Sequence, residues 1–233
     1  LHMTHEIPER ENFPFKTPPI GCVLALMGRP QGGSTILDNS PYGNHGTITG
    51  ATWSKLPSGL PGLDFIAANN AYISCPGAQF DNLDAFSISA WVKCAFIPVT
   101  FAGIVGKMDA GGSFPGFNFN WRGELTNPRL QFYTDGGGWS ESTTNLSTTQ
   151  WQQVGITATM GGTTTYYVNG AAAGSNTTHI GITTCTNDLW IGRSYANEYM
   201  TGSIRLLHFY IPTILSAPQM AGICNQERHL FGV

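Results

Sequence analysis

Charge is scarce in this sequence. Asp, Glu, Lys and Arg make up 11% of its 233 residues, against about a quarter in an average chain. The 11 Lys and Arg residues are scattered singly and the formal net charge is −3. No basic patch is available to neutralise phosphates, which argues against nucleic acid as a partner. Long apolar runs are missing too. The run from Ile20 to Met27 is too short to cross a bilayer, so no membrane insertion is expected. No secretory signal is visible, and Leu1-His2-Met3 reads as a tag remnant before an initiator Met3, with a trimmed signal as the alternative.

Cysteine is sparse and badly spaced for metal. Cys22, Cys75, Cys94, Cys185 and Cys224 include no C-x-x-C pair, which argues against zinc. Their odd number and wide spacing favour buried free thiols over a disulfide framework. Paired carboxylates are also lacking. Retaining glycoside hydrolysis needs two of them about 5 Å apart, and acidic residues at alternate positions of one strand would deliver that. Of Glu6, Glu9, Glu11, Glu124, Glu141, Glu198 and Glu227, none has an acidic partner two residues away on a recognisable strand. His45, His179 and His208 stand isolated, and no G-x-S-x-G elbow or metalloprotease motif occurs. The chain is therefore read as non-catalytic.

What is abundant is turn chemistry and alternation. The 29 glycines, with many Thr, Ser and Asn, favour turns over helices, and an apolar fraction of 41% is enough for a sizeable core. Residues 151–173, WQQVGITATMGGTTTYYVNGAAA, carry the clearest signal. Val154, Ile156 and Ala158 alternate with Gln153, Gly155 and Thr157, the period of a half-buried strand. Thr163 to Val168 is β-branched and aromatic. Asn169-Gly170 then supplies the two positive φ values of a type I′ hairpin turn. An antiparallel meander follows.

The rest reads in the same way. Residues 4–19 hold Pro8, Pro14, Pro18 and Pro19 and form an arm, a tail or a contact for self-association, so residues 1–19 are set apart from a domain at 20–233. Strands are expected at 20–27, 47–53, 63–73 (as a pair or one bulged strand), 85–93, 104–107, 117–121, around Leu130 and Phe132, at 188–192 and at 202–210. About twelve to fourteen strands result. Asp135 to Gly138 is read as a loop carrying Trp139. One helix is expected, capped by Ser216 with Gln219 as its capping-box partner and running to about Gln226, with the tail closing over the sheets.

Candidate site residues follow from exposed aromatics next to amides, since a pyranose offers an apolar face for stacking and hydroxyls for hydrogen bonds. Trp121 and Trp139 lie beside Asn118, Asn120 and Arg122 and by the loop that begins at Asp135, and Tyr195, Asn197, Glu198 and Tyr199 form a third polar-aromatic loop. If these converge at one rim, they make a shallow site for an oligo- or polysaccharide. Trp53, Trp151 and Trp190 are read as core, and Trp91 as packed under a loop. The cluster Asp38, Asn39, Ser40 and Asn44 either forms an Asx-turn, the favoured reading, or supplies part of a calcium site. No other cofactor is expected.

The ordered set DNSPYGNHGTITGATW (38–53), LDF…YI (63–73), FSISAWVK (86–93), GIVGK (103–107), WQQV (151–154), YYVNG (166–170), LWIG (189–192) and GSIRLLHFY…LS (202–216) resembles the concanavalin A-like jelly roll. The similarity is to laminin-G-like domains of bacterial or phage type. It implies an all-β, two-sheet antiparallel sandwich. It also implies acidic residues where this chain has Ile66 and Arg205, positions that contribute calcium ligands in relatives, so a family-type calcium site is not expected. Arg205 is instead expected to pair with Asp38. Two functions remain in view: a lectin-like carbohydrate-binding domain, and a structural, decoration or adhesion protein of a phage virion or tail. Either implies an extracellular or virion-surface location. A polysaccharide-degrading enzyme of the same fold is the third.

Overall fold

The computed structural model describes residues 20–28, 33–95, 101–109, 114–123, 127–195 and 197–233. The proposed arm at 4–19 lies outside the described residues. Among the described residues, two antiparallel sheets of eight strands each face one another, with a single short α-helix at the C-terminal end.

The first sheet contains β1 (Cys22–Leu26), β4 (Thr52–Lys55), β5 (Pro61–Phe65), β7 (Ala85–Cys94), β12 (Gln152–Thr159), β13 (Thr164–Val168), β14 (Ala171–Asn176) and β16 (Gly202–Tyr210). The second contains β2 (Thr35–Ile36), β3 (Gly46–Thr49), β6 (Tyr72–Cys75), β8 (Phe101–Met108), β9 (Gly116–Arg122), β10 (Arg129–Thr134), β11 (Gly138–Glu141) and β15 (Leu189–Ile191). Their order is β14-β13-β12-β7-β16-β5-β4, with β1 on β16, and β11-β10-β9-β8-β15-β6-β3-β2. The many connections between the sheets are the jelly-roll signature.

The meander forms as expected: β12 pairs with β13 and β13 with β14, and Asn169 (φ 51°) and Gly170 (φ 77°) make the turn. The stretch expected as one strand at 47–53 is two strands in different sheets. The chain leaves β3 at Gly50 (φ 65°), where a Cβ would meet the Asn69 carbonyl at 2.6 Å, and enters β4. Residues 63–73 likewise divide between the sheets, across a 3₁₀ turn at Ala67–Asn69. These crossings, and short strands such as β2 and β11, raise the total to sixteen among the described residues. Asp135 to Gly138, expected as a loop, forms the turn of the β10–β11 hairpin, with Thr134 opposite Gly138 and Trp139 already in β11.

Between the sheets, Phe86, Ile88, Val154 and Ile156 meet Phe117, Phe119, Trp121, Leu130 and Phe132 in one continuous core. A second cluster covers the other face of the first sheet. It is built by α1 (Ala217–Glu227) and the following 3₁₀ turn, through Met220, Cys224 and Phe231 on Trp91, Leu206 and Tyr210. The capping box forms: Ser216 Oγ accepts from Gln219 N, and Ser216 N donates to Gln219 Oε1 at 2.8 Å. All five cysteines are free and buried. Trp190 is buried, whereas Trp53 and Trp151 are only partly so.

Candidate functional site

The alternation that puts Phe117, Phe119 and Trp121 into the core puts Asn118, Asn120 and Arg122 on the outer face of the second sheet. The register extends this face into rows. Gly106, Asn118, Tyr133 and Trp139 stand side by side across β8 to β11, and Gly103, Asn120, Gln131 and Glu141 form the next row. The two glycines matter because residues 193–194 lie directly on β8. A Cβ on Gly103 would sit 2.1 Å from Arg193 C and Ser194 N, and one on Gly106 2.7 Å from Ser194 Cα. The segment is pinned there by Gly103 N donating to Glu198 O at 3.1 Å and by the Arg193 guanidinium over the Trp190 ring at 3.9 Å.

The segment and the sheet together enclose a cleft of about 360 Å³, within the size range of small-molecule sites. Asn118, Asn120 and Gln131 form its floor. Tyr133, Trp139, Tyr195 and Phe114 form its aromatic walls, and Arg122 and Glu198 its charged edges. Trp139 is 60% exposed. It is oriented by Arg122, whose guanidinium lies 5.5 Å from the ring centroid and is ion-paired to Glu141. Tyr195 packs edge-on against Phe114 at 5.1 Å. Burial pushes the Glu198 carboxyl up, opposed by its hydrogen bonds from the Ser194 hydroxyl (2.6 Å) and the Tyr195 region. Asn118 Oδ1 and Asn120 Oδ1 are buried with no hydrogen-bond partner among the described residues.

The structure brings Asn118, Asn120, Trp139 and Tyr195 into one cleft and separates the other candidates from it. Trp121 is only 1% exposed and packs in the core, because it shares the parity of Phe117 and Phe119. Asp135 accepts from Thr183 N at 3.1 Å and from the Thr183 hydroxyl, tying the β10–β11 turn to residue 183. Tyr199 flanks Arg193 together with Tyr72, supporting the wall from behind. Asn197 contributes a backbone carbonyl to Tyr199 N at 3.0 Å. Arg122 and Glu198, neighbours of the candidates in sequence, line the cleft as well, whereas Gln131 and Tyr133 were not among the candidates. Gln131 and Tyr133 were readable as the alternates of Leu130 and Phe132 once β10 was registered against β9.

Asp38 is the centre of an Asx-type cage. Its Oδ1 accepts from Ala25 N and Ser40 N, both at 2.8 Å, and its Oδ2 from Ser40 Oγ (2.6 Å) and Asn44 N (2.8 Å). Asn44 Nδ2 donates to Val23 O at 2.9 Å and Gln79 Oε1 at 2.6 Å. The carboxylate thus faces four donors, the surroundings of an anion rather than of a calcium ligand. Among the described residues no group of three or more His, Cys, Asp or Glu could hold a metal. The expected Arg205–Asp38 pair does not form. β16 runs beside β5, so Arg205 pairs with Asp64 at 2.9 Å and also donates to Ser54 Oγ and Leu63 O.

Comparison with known proteins agrees with this architecture. A laminin G-type family model, described as the concanavalin A-like lectin/glucanases superfamily, matches residues 67–219, well over half of the chain. The chain belongs to that superfamily. A search of curated proteins returns no match. Among solved structures, this concanavalin A-like domain is similar to the binding domain of Paraclostridial Mosquitocidal Protein 1, at 16% identity and a TM-score of 0.69, covering 88% of this chain and 52% of that one. It is similar to domain 4 of AbnA, a GH43 extracellular arabinanase from Geobacillus stearothermophilus solved with arabinotriose, at 18% identity and a TM-score of 0.68, covering 87% and 98%. It is also similar to the receptor binding domain of botulinum neurotoxin C/D mosaic serotype, at 14% identity and a TM-score of 0.64, covering 89% and 51%. The chain spans about half the length of the toxin chains it matches. At these identities the likeness is one of fold. No described helix is long and apolar enough to cross a membrane.

Proposed function

We propose that this domain binds carbohydrate without transforming it, and that the cleft over β8 to β11 is the site. One observation carries the reading: Trp139, 60% exposed, stands at the rim of a cleft lined by the side chains of Asn118, Asn120 and Gln131. A sugar ring supplies both complements, an apolar face for the indole and hydroxyls for the amides. The neighbours add support, because two are binding domains by name and the third, domain 4 of an arabinanase, was solved with arabinotriose. The carboxylates near the cleft support a non-catalytic role. Glu141 is held by Arg122 and Glu198 by Ser194.

A glycan array followed by titration calorimetry tests the reading. The wild-type chain is expected to bind at least one saccharide class, and Trp139→Ala to weaken that binding about tenfold, the loss of one stacking contact of roughly 1.4 kcal/mol. Silence across neutral and acidic polysaccharides, with no change on Trp139→Ala, would reject it.

A further inference from the structure

We infer that the cleft takes a saccharide bearing a methyl group, as an N-acetyl or a 6-deoxy sugar does, and that the methyl seats against Met108, Phe114 and Tyr195. This rests on the saccharide reading above and names the sugar chemistry for it.

The cleft has two unlike ends. Along β9 its rows run from Arg122, opposite Phe101 and Arg129, through Asn120 and Asn118 to Gly116, opposite Met108. Four residues separate Arg122 from Asn118, about 13 Å of strand. The first end carries charge. Arg122 is ion-paired to Glu141, and the Glu198 carbonyl is fastened to Gly103 N one row away. The other end is apolar. Met108 stands there beside Phe114, which is 39% exposed, and Tyr195 packs edge-on against Phe114 at 5.1 Å.

The floor adds little polar surface to this end. Asn118 and Asn120 are each 3% exposed, and the lining as a whole is mainly apolar. Asn118 Nδ2 donates to Met108 Sδ at 3.1 Å, which fixes the thioether in place. Phe114 is held at φ 48°, in the left-handed region that an aromatic residue seldom occupies. Strain of that kind persists where the surroundings fix it, and it clusters at ligand clamps. A hydroxyl pressed against these three side chains would exchange water for ring and thioether surface, a desolvation cost. A methyl in the same place leaves water and gains contact with two rings and a polarisable sulfur. The ligand's hydroxyls then lie toward the Arg122 end, and its ring stacks on Trp139.

The test is calorimetry on the full chain with matched probes: chitotriose against cellotriose for the N-acetyl group, and L-fucose against L-galactose for the 6-deoxy position. The methyl-bearing member of at least one pair is expected to bind about fourfold or more tighter, the effect of burying one methyl, and the pair that responds tells which group is read. Phe114→Ala is expected to bring that ratio close to one. Trp139→Ala is expected to weaken both members alike and leave the ratio standing. A plain sugar that binds as tightly as its partner in both pairs, or a ratio unmoved by Phe114→Ala, overturns the inference. Silence toward all four probes, with binding to other saccharides on the glycan array, overturns it too and leaves the saccharide reading standing. Silence on the array as well removes the saccharide reading, and the inference with it. The wild-type comparison decides the matter even if a variant does not fold.

Discussion

On the outer face of the first sheet, Ser87, Ser89, Trp91 and Gln153 alternate with core residues; on the outer face of the second, Asn118, Asn120, Gln131 and Trp139 do the same. In sequence the two patterns are alike: small or amide side chains and one tryptophan, at every second position of neighbouring strands. Their outcomes differ because only one face acquires a roof. Over the first, the C-terminal segment brings partners to Ser87 and Trp91, although His208 Nδ1 and Tyr210 Oη remain without a hydrogen-bond partner among the described residues. Ser87 Oγ donates to Thr213 O (2.9 Å) and accepts from Leu215 N (2.9 Å), and Gln153 bridges Ser89 Oγ (2.8 Å) and Gly170 N (2.9 Å). Trp91 stacks on Phe231 at 4.2 Å and donates to Glu227 Oε2 at 2.7 Å. Over the second face, residues 193–195 cover one flank only. Trp139 stays exposed and two amide oxygens stay unpaired. Polar residues on a sheet face are thus covered where the chain returns over them, and stay at the surface of a cleft where it does not.

Four substitutions sharpen or break that contrast. The largest effect is expected on the roofed face. Trp91→Ala removes a side chain 1% exposed and its stack on Phe231, so stability should fall by about 3–5 kcal/mol, read from the urea midpoint. Saccharide affinity of the remaining folded protein should not change. If affinity falls in step with stability, the two faces are not independent.

The next effect depends on pH. Burial pushes Glu227 up to about 8, although Trp91 donates to it. The unfolded chain releases this proton near pH 4.5 and the folded chain near 8, so the stabilising contribution is complete below 4.5 and is lost as pH rises to 8. Glu227→Gln keeps an acceptor for Trp91 and has no proton to release. It should raise stability at pH 8 by on the order of 3 kcal/mol and have little effect at pH 4.5. His179 and His208 act in the opposite direction. Burial depresses both to about 4, so their contribution is present above pH 6.5 and is lost as pH falls toward 4. Denaturation midpoints from pH 4 to 9 should therefore decline on both sides in the wild type, and flatten on the alkaline side in Glu227→Gln.

Gly103→Ala tests the partial roof. Its Cβ would collide with backbone atoms of residues 193 and 194, which cannot move aside as a flexible side chain can. The expected loss is about 1–3 kcal/mol of stability, together with weakened saccharide binding as the wall carrying Tyr195 and Glu198 is displaced. The smallest stability effect belongs to Trp139→Ala. With 60% of its surface exposed, its removal should stay within about 0.5 kcal/mol by thermal melt while saccharide affinity drops. A large destabilisation there would mean that Trp139 serves the fold rather than a ligand.

Much of this molecule was legible before its structure. The strands of the meander, the apolar parity of Phe86 to Val92, the Asn169-Gly170 turn and the Ser216–Gln219 cap are local: each depends on residues within a few positions of one another. Four of the candidate site residues do share one cleft. Trp121 was a misreading of information already present, since its alternation with Asn118 and Asn120 places it with the core. Gln131 and Tyr133 needed one further step, the register of β10 on β9. By contrast, nothing local told which tryptophan would be roofed by Phe231 or that Arg205 would find Asp64 rather than Asp38. Nor did it tell that the chain changes sheets at Gly50. Hydrophobic period and turn chemistry are properties of neighbours in the chain, so the sequence alone determined the strands, their buried faces, the hairpins and the family. Which outer face stays open depends on where segments distant in sequence come to rest, Phe231 on Trp91 and Arg193 on Gly103, and only the tertiary structure decided that.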